Sequence, residues 1–458
     1  MLVYIIFMHL KKWAKDYFQT PSRIFFTVYL GIMLLGGIIL YLPISHTKDV
    51  TFLDALFTSF SAVSDTGLIV LDTPNDFTFF GKLVILLLLQ IGGLGYMSFT
   101  TFFLLTFRQK ISFRDRLILA ESLNYPGASG LIKFIRRVFI FVLFFEIIGA
   151  VLIFFSLVRK YSVFNAIGLS LFHSISAFNN AGFSLFSNNL VGFRNDYLIN
   201  FTVASLIFVG GIGFFVLNEI YLYFKKEIKR LSTHTKLVLG TSIYFIVFGT
   251  AGILIFEYNN YNGLWQYNWI DRILAAFFTS VSSRTAGFNT TNLSGFTDAT
   301  LSLVSSIMFI GASPGSTGGG IRTTTFAVII LAIYNYIKGS SYVNINYRRI
   351  REDQIYKALV IFSISFIYIT LVALYLTKLE KISFTYALFE TISAFSTVGL
   401  SVGDGTVLSL SSKFSNLGKI IIMITMFVGK IGLLSFMMAL TSQKKDVRIK
   451  SPETKILI

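Results

Sequence analysis

The chain of 458 residues contains no cysteine, which removes disulfides, thiolate nucleophiles and Cys-based metal sites together. Histidine is scarce too: there are four, none in the H-E-x-x-H spacing of a catalytic zinc site. Only 13% of residues are charged, while 54% are hydrophobic and the mean hydropathy is +0.72. A soluble domain does not have this balance, and the sequence describes a polytopic, all-α membrane protein. No signal peptide is evident, because Lys11, Lys12 and Lys15 follow the apolar start instead of preceding it.

The formal net charge of +17 is a topology signal and does not indicate nucleic acid. Of the 39 Lys and Arg, 26 fall before Ile24, in Arg108–Arg137, Lys225–Lys236 and Lys338–Lys357, or after Gln443. Those five basic segments belong on the cytoplasmic side of a cell membrane, with both termini inside.

What the chain has in quantity is glycine at regular places. Four amphipathic runs, Phe52 to Val63, Val163 to Phe178, Trp269 to Ser283 and Phe384 to Phe395, each lead into a short turn. The turns are Ser64-Asp65-Thr66-Gly67-Leu68, Asn179-Asn180-Ala181-Gly182-Phe183, Arg284-Thr285-Ala286-Gly287-Phe288 and Ser396-Thr397-Val398-Gly399-Leu400. Their glycines are spaced 115, 105 and 112 residues apart, the mark of four copies of one unit. A partly dehydrated cation needs oxygens in place of its water, and a ring of backbone carbonyls supplies them without a fixed charge that would trap it. Glycine lets carbonyls turn toward a common axis, and a helix C-terminus aimed there adds roughly half a negative charge. The candidate filter residues are therefore Asp65, Thr66, Gly67; Asn180, Ala181, Gly182; Thr285, Ala286, Gly287; and Thr397, Val398, Gly399, with K⁺ as the ion.

Membrane-length apolar segments flank each run, giving units of span, half-span with turn, and span. The expected division is an N-terminal segment 1–23, repeat 1 at 24–107, a connector 108–137, repeat 2 at 138–224, a connector 225–236, repeat 3 at 237–337, a connector 338–354, repeat 4 at 355–440 and a tail 441–458. Residues 1–23 read either as an interfacial helix or as a frayed tail. Eight transmembrane helices and four re-entrant pore helices would then surround one pseudo-fourfold pore.

Three closing spans carry clustered glycines: Gly92-Gly93-Leu94-Gly95, Gly210-Gly211-Ile212-Gly213 and Gly429-Lys430-Ile431-Gly432. Tight helix packing and a hinge or vestibule are both open readings. In repeat 3 the pattern expands to Gly311-Ala312-Ser313-Pro314-Gly315-Ser316-Thr317-Gly318-Gly319-Gly320-Ile321-Arg322. Ala299 to Ile337 as one straight helix would be about 58 Å long, far more than a crossing needs. The helix must break at Pro314 and its glycines, placing a polar loop at 312–322 below the filter as a candidate gate. A nucleotide loop is excluded there, since no Lys follows the last glycine.

Lys430 either snorkels to the inner surface or faces the loop, where it would bond carbonyls of the gate and repel K⁺. Arg284 should point away from the pore and pair with Glu390 or Asp65; alternatively Asp65 draws cations to the entrance. Glu146, Glu219 and His173 are expected to serve as structural hydrogen-bonding groups. No nucleophile or phosphorylation motif at depth suggests an enzyme.

Given these residues, the chain resembles the Trk/Ktr/HKT superfamily of potassium transporters, most closely the bacterial KtrB-type membrane subunit. The most specific pieces are Ser283-Arg284-Thr285-Ala286-Gly287-Phe288-Asn289-Thr290, Pro314 to Gly320, and the terminal Pro452-Glu453-Thr454-Lys455-Ile456-Leu457-Ile458. The resemblance implies a homodimer with one pore per protomer, docked on a cytosolic ring of nucleotide-binding, KtrA-type regulatory subunits, with Na⁺ activating or coupled to uptake. It also implies that the 312–322 loop is a gate. One departure stands out: the family usually has Arg where this chain has Lys430, which keeps the charge but loses the planar fork. A weaker latch and a leakier pore are expected. The rival reading is a Na⁺-permeable or K⁺/Na⁺-coupled version of the same pore.

Overall fold

The computed structural model describes residues 21–95, 130–340, 342–345 and 348–440. The expected interfacial segment, most of the first basic connector and the C-terminal tail, with its Pro452 motif, lie outside the described residues. The described helices are α1 (Pro21–Tyr41), α2 (Phe52–Val63), α3 (Phe79–Leu94), α4 (Leu131–Leu157), α5 (Val163–Phe178), α6 (Tyr197–Gly211), α7 (Phe214–Phe224), α8 (Thr233–Phe256), α9 (Trp269–Ser282), α10 (Asp298–Ile310), α11 (Thr323–Ile337), α12 (Glu352–Glu380), α13 (Phe384–Phe395), α14 (Asn416–Ile431) and α15 (Leu433–Leu440). A four-residue helix, several 3₁₀ turns and a two-stranded hairpin (Asn344–Ile345 with Arg348–Arg349) complete them.

Four of these helices, covering Ser22–Tyr41, Leu131–Leu157, Thr233–Phe256 and Glu352–Glu380, are each long and apolar enough to cross a membrane. They present large apolar side chains outward, among them Leu35, Ile147, Val247 and Leu371, as lipid-facing helices do. The chain is thus a multi-pass membrane protein. Two further helix pairs, each long and apolar enough to cross if taken together, are bent: α6 with α7 turns by 99° and α14 with α15 by 98°. Both bends fall within the clustered glycines for which a hinge is one of the open readings. Gly213 and Gly432 sit at the bends with φ of +94° and +89°, a region that side-chain-bearing residues enter only with strain.

The short helices α2, α5, α9 and α13 pack inside the others. Side-chain capping sets two of their starts: Thr51 accepts from the Asp54 amide and Ser383 from the Tyr386 amide. Small hydroxyls then fix three of them to their outer neighbours. Ser59 donates to Met33 O at 2.7 Å, Ser174 to Glu146 O at 2.6 Å and Ser280 to Ile246 O at 2.9 Å. In each case the facing residue three positions on is a glycine, Gly36, Gly149 or Gly249, which leaves room for the hydroxyl. In the fourth, Thr391 bonds its own helix at Ala387 O.

Polar contacts join the units. Between first and last, Lys419 pairs with Asp54 at 2.7 Å and Lys430 with Asp65 at 2.6 Å. Between first and second, Gln90 donates to both Glu146 oxygens at 3.0 Å, and Asn179 donates to Gln90 Oε1. Between second and third, Arg194 stacks 3.7 Å above the Tyr267 ring.

Candidate functional site

Each short helix ends where its turn begins, so four helix C-termini converge on the same region. The turns share one backbone pattern. Asp65, Asn180, Thr285 and Thr397 have φ between +50° and +70°, and the glycine two residues later is also at positive φ: Gly67 +91°, Gly182 +69°, Gly287 +73° and Gly399 +88°. Four non-glycine residues in this region cost strain that the surroundings must hold. Serines of the helices brace the turns. The Gly67 amide donates to Ser61 Oγ and the Gly399 amide to Ser393 Oγ, both at 3.0 Å, while Ser176 and Ser282 donate to the carbonyls of Phe183 and Phe288. The residue after each glycine, Leu68, Phe183, Phe288 or Leu400, is buried in the core and anchors the exit.

The four turns touch one another in a closed circuit. A Cβ on Gly67 would lie 2.5 Å from Ala181 O, and one on Gly182 would lie 2.9 Å from Ala286 O. One on Gly287 would strike Val398 O, and one on Gly399 would strike Thr66 O. Thus first meets second, second third, third fourth and fourth first. The structure brings together all twelve of the turn residues singled out in the sequence. On one side of the circuit lies a cavity of about 190 Å³ lined by all four glycines and by the residues two positions after them, Ile69, Ser184, Asn289 and Ser401.

The glycine-rich segment lies on the other side. After α10, Gly311 adopts φ of +54° and the chain leaves the helix until Thr323. The Gly319 amide donates to Thr397 Oγ1 at 2.9 Å; Gly318 abuts Thr285 and Gly320 abuts Ser396. The Ser313 amide donates to Gly211 O at 3.1 Å, and the Phe214 amide to Gly315 O at 2.9 Å, so Ala312, Ser313, Pro314, Gly315 and Ser316 lie along the α6–α7 bend. Arg322 folds back onto Gly318 O. Lys430 Nζ donates to Thr317 O at 3.0 Å as well as to Asp65. Its side chain is 6% exposed and that of Asp65 is 0% exposed, which rules out snorkelling.

Two expectations for buried charges need correction. Arg284 pairs with neither Glu390 nor Asp65, because Ser401 and Ser411 occupy Glu390 and Lys430 occupies Asp65; Arg284 donates to Ser242 Oγ at 3.0 Å. Asp65 cannot draw cations to the entrance, since its side chain is sealed against Lys430. Of the remaining groups, half-buried Glu219 accepts from Ser232 and Thr235, and buried His173 contacts Ser184. The clustered glycines divide between the two open readings. Gly92, Gly210 and Gly429 abut the last carbonyls of the short helices, at Val63, Phe178 and Phe395, whereas Gly213 and Gly432 make the bends. The bracing serines were missed, although their offset from the glycine was visible in the sequence: six residues in three of the units and five in the third.

Comparison with known proteins places this geometry. The family described as "TrkH: Cation transport protein" matches residues 1–447. "Ktr system potassium uptake protein B" of Bacillus subtilis is 36% identical over 446 residues, covering 97% of each chain. Its counterpart in Vibrio alginolyticus is 37% identical over 437 residues, covering 95% of this chain and 94% of that one. "Potassium/sodium uptake protein NtpJ" of Enterococcus hirae is 32% identical over 447 residues, covering 96% of this chain and 97% of that one. The crystal structure of the potassium transporter TrkH from Vibrio parahaemolyticus shares the fold, with a TM-score of 0.72 at 17% identity over 93% of this chain and 86% of that one. These relatives are transporters and not enzymes, and the chain belongs to the TrkH cation transport family.

Proposed function

We propose that the chain takes up potassium ions across the cell membrane, through a filter built from the carbonyls of the four turns and closed by the 312–322 loop. The observation that carries this reading is the closed circuit of glycines, each too near the next turn's backbone to bear a side chain. Such a circuit leaves carbonyl oxygens as the groups available to a dehydrated cation, and four helix C-termini add negative potential there. Eight crossings arranged as four repeats, with both termini in the cytoplasm, complete the architecture. The broken span α10–α11 and the segment α3 would be the seventh and eighth crossings, and the basic segments set the orientation.

Passage would be passive, driven by the membrane potential. The loop's contacts with Thr285, Thr397 and Lys430 hold the path shut in this conformation, and rearrangement of the loop opens it. A cytosolic nucleotide-binding regulatory ring is the natural controller, in keeping with the "Ktr system" wording of the relatives' names. Homodimerisation rests on the family resemblance. A second reading, a pore that also carries Na⁺, is favoured by the potassium/sodium name of the Enterococcus relative.

The test is rubidium uptake into proteoliposomes, competed by K⁺ or Na⁺, for the whole protein and for a variant lacking residues 313–320. Strong competition by K⁺ with weak competition by Na⁺ is expected, and the deletion should raise the rate. Equal competition supports the second reading. Absence of specific uptake by both proteins overturns the pore.

A further inference from the structure

We propose that His173 and Glu390 are selectivity-determining positioning residues, which hold the exits of the second and fourth turns and, through them, those of the third and first. The inference rests on reading the four turns as one filter. Both residues lie nine positions before their filter glycine, on α5 and α13, and both bond the serine two positions after it. His173 is 1% exposed and Glu390 0%.

The chemistry of each contact is directional. His173 Nδ1 is 2.7 Å from Leu169 O, so Nδ1 carries the hydrogen and Nε2 is an acceptor. Nε2 then accepts from the Ser184 hydroxyl at 2.9 Å and from the Leu185 amide at 3.3 Å. Glu390 Oε2 accepts from the Ser401 hydroxyl at 2.7 Å, and Oε1 accepts from the Ser411 amide at 3.0 Å and the Ser411 hydroxyl. Ser401 Oγ in turn accepts from the amides of Leu410 at 2.8 Å and Gly403 at 3.1 Å.

The other two units have no such device. At the same offset they carry Thr58, which bonds its own helix at Asp54 O, and Phe278. Their exits are held from the neighbouring unit instead. Ile69 donates to Ser409 Oγ at 2.9 Å and accepts from the Ser409 amide at 3.0 Å; Ser409 adjoins Leu410, which Ser401 fixes. Asn289 O accepts from the Leu190 amide at 3.1 Å, on the loop that leaves the second turn. A pseudo-fourfold ring is thereby held by a twofold scaffold: units two and four anchor themselves and lend a loop to units three and one. Carbonyl cages discriminate between ions by the number and placement of oxygens, so loosening an anchor should alter discrimination and not rate alone.

The experiment measures the ratio of Na⁺ to K⁺ concentrations that halve rubidium uptake, together with thermal unfolding, for His173→Ala, His173→Gln, Ser401→Ala and Gly399→Ser. His173→Ala and Ser401→Ala should each lower the ratio about tenfold, the effect of losing one or two buried hydrogen bonds. His173→Gln, whose amide oxygen replaces Nε2 as acceptor, should keep the wild-type ratio. If His173→Ala and Ser401→Ala reduce stability or rate but leave the ratio unchanged while Gly399→Ser lowers it, the anchors are merely structural and the inference fails. If Gly399→Ser also leaves the ratio unchanged, the filter reading itself is wrong.

Discussion

Gly399→Ala is expected to abolish potassium-selective uptake. Gly399 has φ of +88°, where an alanine pays on the order of 1–2 kcal/mol in backbone strain. Its new methyl would also press on the Thr66 carbonyl of the adjoining turn, a backbone atom that cannot rotate away. Either the Gly399 turn or the first turn must shift, and either shift opens the circuit. Rubidium uptake should fall roughly a hundredfold, equivalent to about 2.7 kcal/mol on the barrier, and residual flux should no longer distinguish K⁺ from Na⁺. The control is Gly31→Ala, which lies within α1 and has no neighbour within 4 Å of the new methyl. That variant should transport normally and be slightly more stable, because alanine outperforms glycine in a helix.

The second large effect concerns Lys430. Its ammonium links Asp65, at the start of the first turn, to Thr317 in the glycine-rich loop. One carbonyl is a modest hold for a gate, and a guanidinium at this position would offer further donors to the same loop. Lys430→Arg should therefore favour the closed state by about 1.4 kcal/mol and lower uptake without a regulatory partner by close to tenfold. The opposite substitution needs charge balance. Lys430→Met alone leaves the buried Asp65 carboxylate uncompensated, a loss of about 3–5 kcal/mol that threatens the fold. The pair Lys430→Met with Asp65→Asn removes both charges and the loop contact together. Basal uptake by that double variant should exceed wild type, measured by rubidium flux into proteoliposomes lacking any cytosolic subunit. Equal or lower flux by the double variant, with unchanged unfolding temperature, would remove Lys430 from the gate.

Much of this arrangement could be read from the chain before any coordinates, and the reason is local. The short helices follow amphipathic runs, two of them started by a capping hydroxyl, and each ends at a glycine turn, so Phe52, Val63, Val163, Phe178, Phe384 and Phe395 are helix boundaries in both descriptions. The positive φ at Thr285 and Thr397 was not legible, since threonine gives no signal for it. Nor was the division of labour among clustered glycines: Gly429 and Gly432 look alike in sequence, and the structure distinguishes them by the packing of Phe395 O against the first and the positive φ of the second. Charge partners were least accessible. Asp65 and Lys430 are 365 residues apart, and closure of the circuit between first and last units is what brings them together. Arg284 shows the same limit, because its partner is the hydroxyl of Ser242 and no sequence rule favours that over a carboxylate.

The most direct test of the carbonyl filter is anomalous diffraction from crystals of the whole protein grown with rubidium as the only alkali cation. The account predicts an anomalous peak enclosed by the carbonyls of Thr66, Ala181, Ala286 and Val398 and the glycines that follow them. A circuit that stays empty at rubidium concentrations saturating for uptake, with the ion bound elsewhere in the protein, would contradict it.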